Sequence, residues 1–487
     1  MRWALSMTRP CTGRSAAAAS AVIASVAVLS GCAVGPDYRT PTVHVPSDYK
    51  EQSSASVSWK TAAPNDEVDR GQWWTSYQDP FLDQLEERVT IDNQNLALYA
   101  AAYRQALAVV DEERAHLFPT VSLRADRESV GIPEIIQPAV KKNMLTSRSA
   151  VAKGSWDLDV WGKVRRQIES DRAAAQASAA QLASMRLSAE AELATDYFEL
   201  RYEDSLQRML NETVSAYQRS LDITRRQYEA GAAAQSDVLT AETQVETTLA
   251  QRIAVGVSRA RYEHAIALLT GQAPADLSIP IAELTAAVPD IPLALPATLL
   301  ERRPDIAQAE RQMKQQNALI GVAEAAFYPD ISLSGLFGYA GAGSLISSSN
   351  KLWALGGSAS QLLYDGGGRS ATVKSARAAY DQSIANYRQT VLTAFQNVED
   401  ALSGLRVLAL QAEAQAAAVA SSRHSVDVAL RLYQAGAVTY TTVVSAQGTA
   451  LSNEQTALQV KENQLTESVA LLKALGGGWN ASVLAKQ

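Results

Sequence analysis

The run Arg226-Gln227-Tyr228-Glu229-Ala230-Gly231-Ala232 recurs as Arg431-Leu432-Tyr433-Gln434-Ala435-Gly436-Ala437. The correspondence holds at an offset of 205 residues, without a gap, from about 155–271 to 360–476, so the chain is two copies of one design. Upstream the copies meet again at Leu117-Phe118-Pro119 and Phe327-Tyr328-Pro329. Before the first quoted glycine, residues 163–230 hold neither Gly nor Pro, and in the second copy only Gly404 interrupts 369–435. Each copy therefore predicts one helix of about 65 residues, on the order of 100 Å long at ~1.5 Å per residue. Gly231 and Gly436 then turn the chain, and returning helices are expected at about 235–270 and 441–475. These are shorter, roughly 55 Å, and helices at about 96–117 and 305–326 add about 33 Å each. Two short helices end to end would thus span one long one. Leu210, Val214, Tyr217, Leu221, Thr224 and Tyr228 keep the four-three spacing of a coiled-coil seam.

Four segments alternate with a period of two. From Pro119 onward Val121, Leu123 and Ala125 face away from Ser122, Arg124 and Asp126. The partner sets Ala150, Ala152, Trp156, Leu158 and Val160 against Ser149, Lys153, Ser155, Asp157 and Asp159, giving a hairpin at 119–161. In the second copy Ile331, Leu333, Gly335, Phe337 and Tyr339 alternate with Ser332 and Ser334, a return strand covers about 353–364, and the hairpin is 329–365. Such strands have the ~10-residue length of a transmembrane barrel, but four cannot close one, since the smallest single-chain barrels have about eight. Closure must be shared, and three chains would give about twelve strands. The expected fold class is mainly α with a transmembrane β-barrel part: long antiparallel coiled-coil helices forming a tunnel, plus four strands per chain in a 12-stranded barrel shared by a homotrimer.

At 487 residues, 47% hydrophobic and 20% charged, the composition is that of a folded chain. Residues 1–31 read as a signal peptide, with Arg2, Arg9 and Arg14 before an apolar run too short to span a bilayer. Leu29-Ser30-Gly31-Cys32 resembles the lipobox of bacterial lipoproteins, so Cys32 is expected to be acylated and to become the first residue. Cys11 leaves with the signal, and no disulfide is then possible. Loss of three arginines takes the net charge from −7 to −10, the wrong sign for a phosphate backbone, and no nucleic-acid partner is expected. His44, His116, His264 and His424 are scattered, without zinc-like spacing. Neither cofactor, metal site nor enzymatic activity is expected. Gly366-Gly367-Gly368-Arg369 lacks the Lys-Ser/Thr ending of a phosphate loop and reads as a strand-to-helix swivel.

Several motifs carry a family resemblance: Cys32-Ala33-Val34-Gly35-Pro36-Asp37-Tyr38, Trp73-Trp74 with Asp79-Pro80 and Leu82, Leu300-Glu301-Arg302-Arg303-Pro304-Asp305-Ile306, the two Tyr-x-Ala-Gly corners, and Ala474-Leu475-Gly476-Gly477-Gly478-Trp479. In this order, and with the duplication, they resemble the outer membrane factor family of tripartite efflux systems, in its lipoprotein branch. The resemblance implies a trimeric barrel in the outer membrane continuous with a periplasmic helical tunnel. It further implies a passive exit duct for small molecules, fed by an inner-membrane pump, usually of the resistance-nodulation-division type, through a periplasmic adaptor (membrane fusion protein). The alternative is an exit duct for an ABC-type exporter or type I protein secretion system. On this resemblance residues 32–90 would form the lipidated N-terminal and equatorial segment, 91–271 the first repeat, 272–303 an equatorial linker, 304–476 the second repeat and 477–487 a tail. Adaptor docking is expected at Gly231, Ala232, Gly436 and Ala437, where small residues expose backbone at the corners. Where relatives commonly read Leu-x-x-x-Asp-Ala-Gln-Arg, this chain has Thr441-Thr442-Val443-Val444-Ser445-Ala446-Gln447-Gly448. Its periplasmic gate would then rest on packing near Tyr433 and Tyr440, beside Thr441 and Ser445, with Asp237 as the remaining acidic candidate.

Overall fold

A computed structural model describes residues 33–42, 46, 49–53, 72–131, 144–289, 291, 302–341 and 347–477. Residues 1–32, with the expected signal peptide and Cys32, and the tail after residue 477 lie outside the described residues. The chain divides into two compact units, Met1–Pro41 with Arg104–Gln176 and Glu310–Ala385, and Thr42–Tyr103 with Ala177–Ala309 and Asn386–Gln487. Each unit draws on both sequence repeats, so the duplication does not produce two separate domains. Among the described residues the helices are α1 (Pro80–Asp92), α2 (Gln94–Ala115), α3 (Lys163–Glu229), α4 (Gln235–Leu269), α5 (Pro304–Ala325), α6 (Gly368–Gln434) and α7 (Tyr440–Ala474). The repeats match residue for residue in length: 67 in α3 and α6, 35 in α4 and α7, 22 in α2 and α5. No helix among the described residues is long and apolar enough to cross a membrane.

The first unit holds one antiparallel sheet, β1 (Thr120–Gly131), β2 (Met144–Asp157), β3 (Asp330–Gly341) and β4 (Lys351–Ser360), in that spatial order. The two hairpins are joined, β2 pairing with β3 from Arg148↔Gly341 to Asp157↔Ser332. The unbroken register puts Val121, Leu123, Ala152, Phe337, Trp353 and Leu355 on one face, and Ser122, Arg124, Asp126, Lys153, Ser334 and Ser358 on the other. Both returning strands stop earlier than expected. Leu158 and Val160 lie beyond β2, and residues 361–367 beyond β4, because an aspartate at each exit gathers the helix that follows. Asp159 accepts from the amides of Val164 (2.9 Å) and Arg165 (3.0 Å) and from the Arg165 guanidinium (3.1 Å). Asp365 accepts from the amides of Gly367 (3.0 Å) and Arg369 (2.9 Å) and from the Arg369 guanidinium (2.9 Å). Gly162, Gly366 and Gly367 supply the positive φ that these bends require. The gapless offset pairs Asp159 with Tyr364, yet the structure gives its task to Asp365, so the repeats reach the same cap through loops of different length.

The N-terminal segment is strapped to this unit. Val34 donates its amide to the Trp161 carbonyl (3.0 Å), and buried Arg166 donates to the carbonyls of Val34 and Gly35 and to Asp37. Gly35 and Gly321 pass so closely that a Cβ on Gly35 would sit 2.4 Å from the Gly321 Cα.

In the second unit the apolar faces of α1, α3 and α7 close over Trp73, Trp74, Leu82, Tyr197 and Phe198. Residues 272–289 are tied on by ions: buried Asp204 accepts from Arg201 (3.0 Å), Arg259 (2.7 Å) and the Ala282 amide (3.1 Å). The expected end-to-end joints are present here. Asn93 donates its side-chain amide to the Leu269 carbonyl at the end of α4 (2.9 Å), while its Oδ1 accepts from the amides of Asn95 (2.9 Å) and Leu96 (3.2 Å) at the start of α2. One side chain satisfies orphan groups of two helices and sets the C-terminal end of one dipole against the N-terminal end of the next. In the second copy Arg303 does related work, donating to the Ala474 carbonyl (3.0 Å) while paired with Asp305 (2.6 Å). Gly271 and Gly476, both at positive φ, end α4 and α7, and a Cβ on either would meet the backbone of Asp92 or Arg302. Replacing Asn93 by Ala removes the cap and leaves the Leu269 carbonyl buried without its donor. It should cost about 1–3 kcal/mol of stability, seen as a lower midpoint when the purified protein is melted in detergent; an unchanged midpoint would show that the joint is held by packing alone.

Candidate functional site at the helix corners

The corners are two copies of one hydrogen-bonded stop. After α3 the Gly231 amide donates to the Tyr228 carbonyl (2.9 Å) and the Ala232 amide to the Gln227 carbonyl (2.7 Å). After α6 the Gly436 amide donates to the Tyr433 carbonyl and the Ala437 amide to the Leu432 carbonyl, both at 2.9 Å. This is the Schellman pattern, with the glycine in the left-handed region, at φ 72° in Gly231 and 74° in Gly436. Nothing lies within 4 Å of the place a Cβ would occupy on either glycine. Gly231, Ala232, Gly436 and Ala437 are all exposed, so the corners present bare backbone and methyl groups.

Directly behind the corners lies a compact seam of Tyr217, Leu221, Ala241, Val245, Ala429, Tyr433, Tyr440 and Val443. Tyr433 and Tyr440 pack with ring centroids 5.2 Å apart. Burial pushes the Tyr440 hydroxyl up to about 12, reinforced by Tyr433, Tyr217 and the carboxylate of Asp237. Asp237, half-buried in the first turn of α4, therefore sits beside the tyrosine pair. In the first three turns of α7 the buried residues are Tyr440, Val443, Gln447 and Ala450, and Gln447 donates to the Ser220 hydroxyl of α3 (3.2 Å). Thr441, Ser445 and Gly448 fall on a different stripe and are exposed. The five gate candidates thus separate into two groups: Tyr433 and Tyr440 are buried in the seam with half-buried Asp237 beside them, while Thr441 and Ser445 present a small, uncharged, exposed surface. The coiled-coil seam of α3 is buried at Leu210, Tyr217, Leu221 and Thr224, but Tyr228, next to the corner, is exposed.

Farther along, α3 and α7 share an acidic seam that spacing alone does not reveal. Burial raises Asp196, Glu203 and Glu462 each to about 7, and the neighbouring carboxylate of Glu199 adds to all three. Glu462 is 2% exposed. Asn93, Arg166, Asp159 and Gln447 are further positioning residues that the sequence reading passed over; an aspartate a few residues before an arginine at each helix entrance, Asp159 with Arg165 and Asp365 with Arg369, was the one signal available for Asp159. Among the described residues no group of His, Cys, Asp and Glu is arranged to hold a metal ion.

The chain matches the model of the family described as outer membrane efflux protein over residues 87–272 and 295–477. It is 31% identical over 465 residues to the toluene efflux pump outer membrane protein TtgC of Pseudomonas putida, covering 93% of this chain and 94% of that protein. It is 28% identical over 465 residues to the probable outer membrane lipoprotein SilC of Salmonella typhimurium, covering 94% of this chain and 98% of that one. Among solved structures, the outer-membrane channel OprN superposes with a TM-score of 0.84 at 30% identity, over 92% of this chain and all of that one.

The acidic seam generates a pH dependence. A carboxyl whose folded value is raised contributes stability that is fully present below its unfolded value, about 4.5, and is lost as pH rises through about 7. Glu462→Gln should therefore stabilise the protein at pH 8 by on the order of 1–3 kcal/mol, read as a higher thermal midpoint, and change it little at pH 5. Equal effects at the two pH values would show that Glu462 does not titrate in this range.

Proposed function

The chain belongs to the outer membrane efflux protein family, and on that premise we propose that three copies close one duct, anchored by lipid at Cys32 and met at its helix corners by a periplasmic adaptor. It is the outer-membrane channel component of an efflux pump, and the relatives favour efflux of small molecules over protein secretion. The observation that carries the trimeric reading is the sheet. One face is apolar from Val121 to Leu355, and the outer edges of β1 and β4 have no strand partner among the described residues. In hydrocarbon each unpaired backbone group costs several kcal/mol, so the edges must be matched by another copy, β4 of one chain against β1 of the next.

The duct is passive and performs no chemistry. Cargo is handed over by an inner-membrane transporter through the adaptor, and choice of cargo lies with that transporter. The Cys32 acyl chain alone binds a membrane only marginally, so the barrel supplies most of the insertion energy. At the corners, Gly231, Ala232, Gly436 and Ala437 form the docking surface, since a partner packing against small residues reaches backbone directly. The closed end is held by the Tyr433–Tyr440 packing, and Asp237, repeated three times around the axis, is its acidic ring.

Mass measurement in detergent should give three chains per particle, and a stable monomer or dimer would sink the trimeric duct. In the same preparation Gly231→Asp with Gly436→Asp should leave trimers in the membrane, since no side chain is displaced, at a cost of about 1–2 kcal/mol per left-handed position, while abolishing adaptor crosslinking and most efflux. Undiminished efflux from intact trimers would place docking elsewhere. Labelled palmitate should enter the native protein and not Cys32→Ala; label retained by the variant would remove Cys32 as the anchor.

A further inference from the structure

The apolar face of the sheet ends in cations and nothing else that is charged. On that face β1 offers Val121, Leu123, Ala125 and then Arg127, while β2 rises through Trp156, Gly154, Ala152 and Ala150 to Arg148. On β4 the corresponding end residue is Lys351, opposite Tyr339. No aspartate or glutamate occupies this face on any of the four strands, whereas the opposite face neutralises its charge locally, Arg124 pairing with Asp126 at 2.8 Å. Arg127 and Arg148 stand directly across from each other, both exposed, and make no ion pair among the described residues. Like charges opposite one another in a sheet are destabilising unless an anion lies between them. Lys351 holds its ammonium 5.5 Å from the Phe337 ring centroid.

The height of these cations is set by the strand. From Phe118 to Arg127 the chain climbs about 30 Å at ~3.3 Å per residue, or about 23 Å along the membrane normal at a ~40° tilt, close to the ~25 Å apolar band of a barrel. Arg127 and Arg148 therefore end the band at the side remote from the helices, where long cationic side chains reach for headgroups. Strand spacing of about 4.8 Å sets Arg127 and Arg148 close together and Lys351 about 12 Å from Arg148, two strands across and two residues lower in register.

We propose that Arg127, Arg148 and Lys351 dock the two phosphates of a phosphorylated glycolipid in the outer leaflet, its acyl chains lying on the apolar face below. This rests on the reading of the sheet as a membrane wall. Free phosphate satisfies only the rim and a neutral lipid only the face; a diphosphorylated glycolipid satisfies both, the arginine pair taking one phosphate and Lys351 the other.

The test reconstitutes the full chain into bilayer discs holding diphosphorylated lipid A, or the same glycolipid with both phosphates removed, and counts retained glycolipid by native mass spectrometry. Arg127→Gln with Arg148→Gln should retain about tenfold less diphosphorylated glycolipid or lower still, from the ~1 kcal/mol per surface cation. Arg127→Lys with Arg148→Lys should keep most of it, Arg124→Gln on the other face should change nothing, and excess inorganic phosphate should not displace it. Equal retention of the dephosphorylated glycolipid, equal retention by the double glutamine variant, or displacement by inorganic phosphate would each overturn the proposal. Insertion and particle mass are read on the same samples. A native chain that fails to insert overturns the channel reading together with this one, whereas an inserted trimer that ignores the phosphates overturns this one alone.

Discussion

The constraint on which everything else depends is the hydrogen-bonding demand of two strand edges. β1 and β4 are 12 and 10 residues long, and alternate residues along each outer edge point their amide and carbonyl away from the sheet. In hydrocarbon each such group left bare costs several kcal/mol, so an open sheet of this length would forfeit tens of kcal/mol. A folded domain has only about 5–15 kcal/mol in hand. The membrane part of this chain is thus not a fold with an optional oligomeric state: the barrel exists when the edges meet and not before. The exposed apolar side chains of the sheet, Val121, Leu123, Trp353 and Leu355 among them, belong to the same argument, since in water they form a patch that a monomer cannot keep.

The helices face a different problem, that of making a long rod from pieces. α3 and α6 are continuous, but their companions are interrupted, and a break between two helices exposes carbonyls at one end and amides at the other. The repeats resolve this with different chemistry. Asn93 is neutral and bridges carbonyl and amides in one planar group; Arg303 brings a charge to the carbonyl of Ala474 and requires Asp305 to balance it. Duplication preserved helix lengths to the residue while leaving the joints free to diverge, because the lengths set where barrel and corners fall and the joints need only be saturated.

Much of this was legible beforehand. The absence of Gly and Pro over 163–230 gave α3 to within a residue, since nothing in that stretch competes with helix, and Gly231 and Gly436 marked the corners because only the left-handed region permits that stop. Period-two alternation found the strands and their faces, but overran both returning ends: Leu158, Val160 and Leu363 continue the alternating pattern while Asp159 and Asp365 redirect the backbone. Alternation reports side-chain facing and is blind to where hydrogen bonding stops. The partition of the gate candidates was hidden for a related reason. Thr441 and Tyr440 are neighbours in sequence, yet a helix turns them about 100° apart, and only packing tells which stripe is buried. Glu462 and the residues around Glu199 come together from distant parts of the chain, beyond the reach of any local pattern.

Asp365 and the Glu203–Glu462 seam respond to pH in opposite senses, and the difference follows from what each carboxylate touches. At the exit from β4 the Asp365 carboxyl is held down to about 2, first by the Arg369 amide and then by its guanidinium. A depressed value contributes stability present above about 4 and lost only as pH falls through about 2, so the swivel that turns strand into helix survives mild acid intact. Asp159 has the same donors in the first repeat, two amides and an arginine. The Glu203 and Glu462 seam instead lacks cations to offset burial, and its stability is greatest in acid and declines as pH rises through about 7. Acidification to pH 5 therefore leaves the Asp365 swivel unchanged while stabilising the Glu203 and Glu462 seam of the second unit. Two amides and a guanidinium fix the charge of Asp365 at the swivel, whereas burial without a cation leaves the charge of Glu203 and Glu462 dependent on the medium.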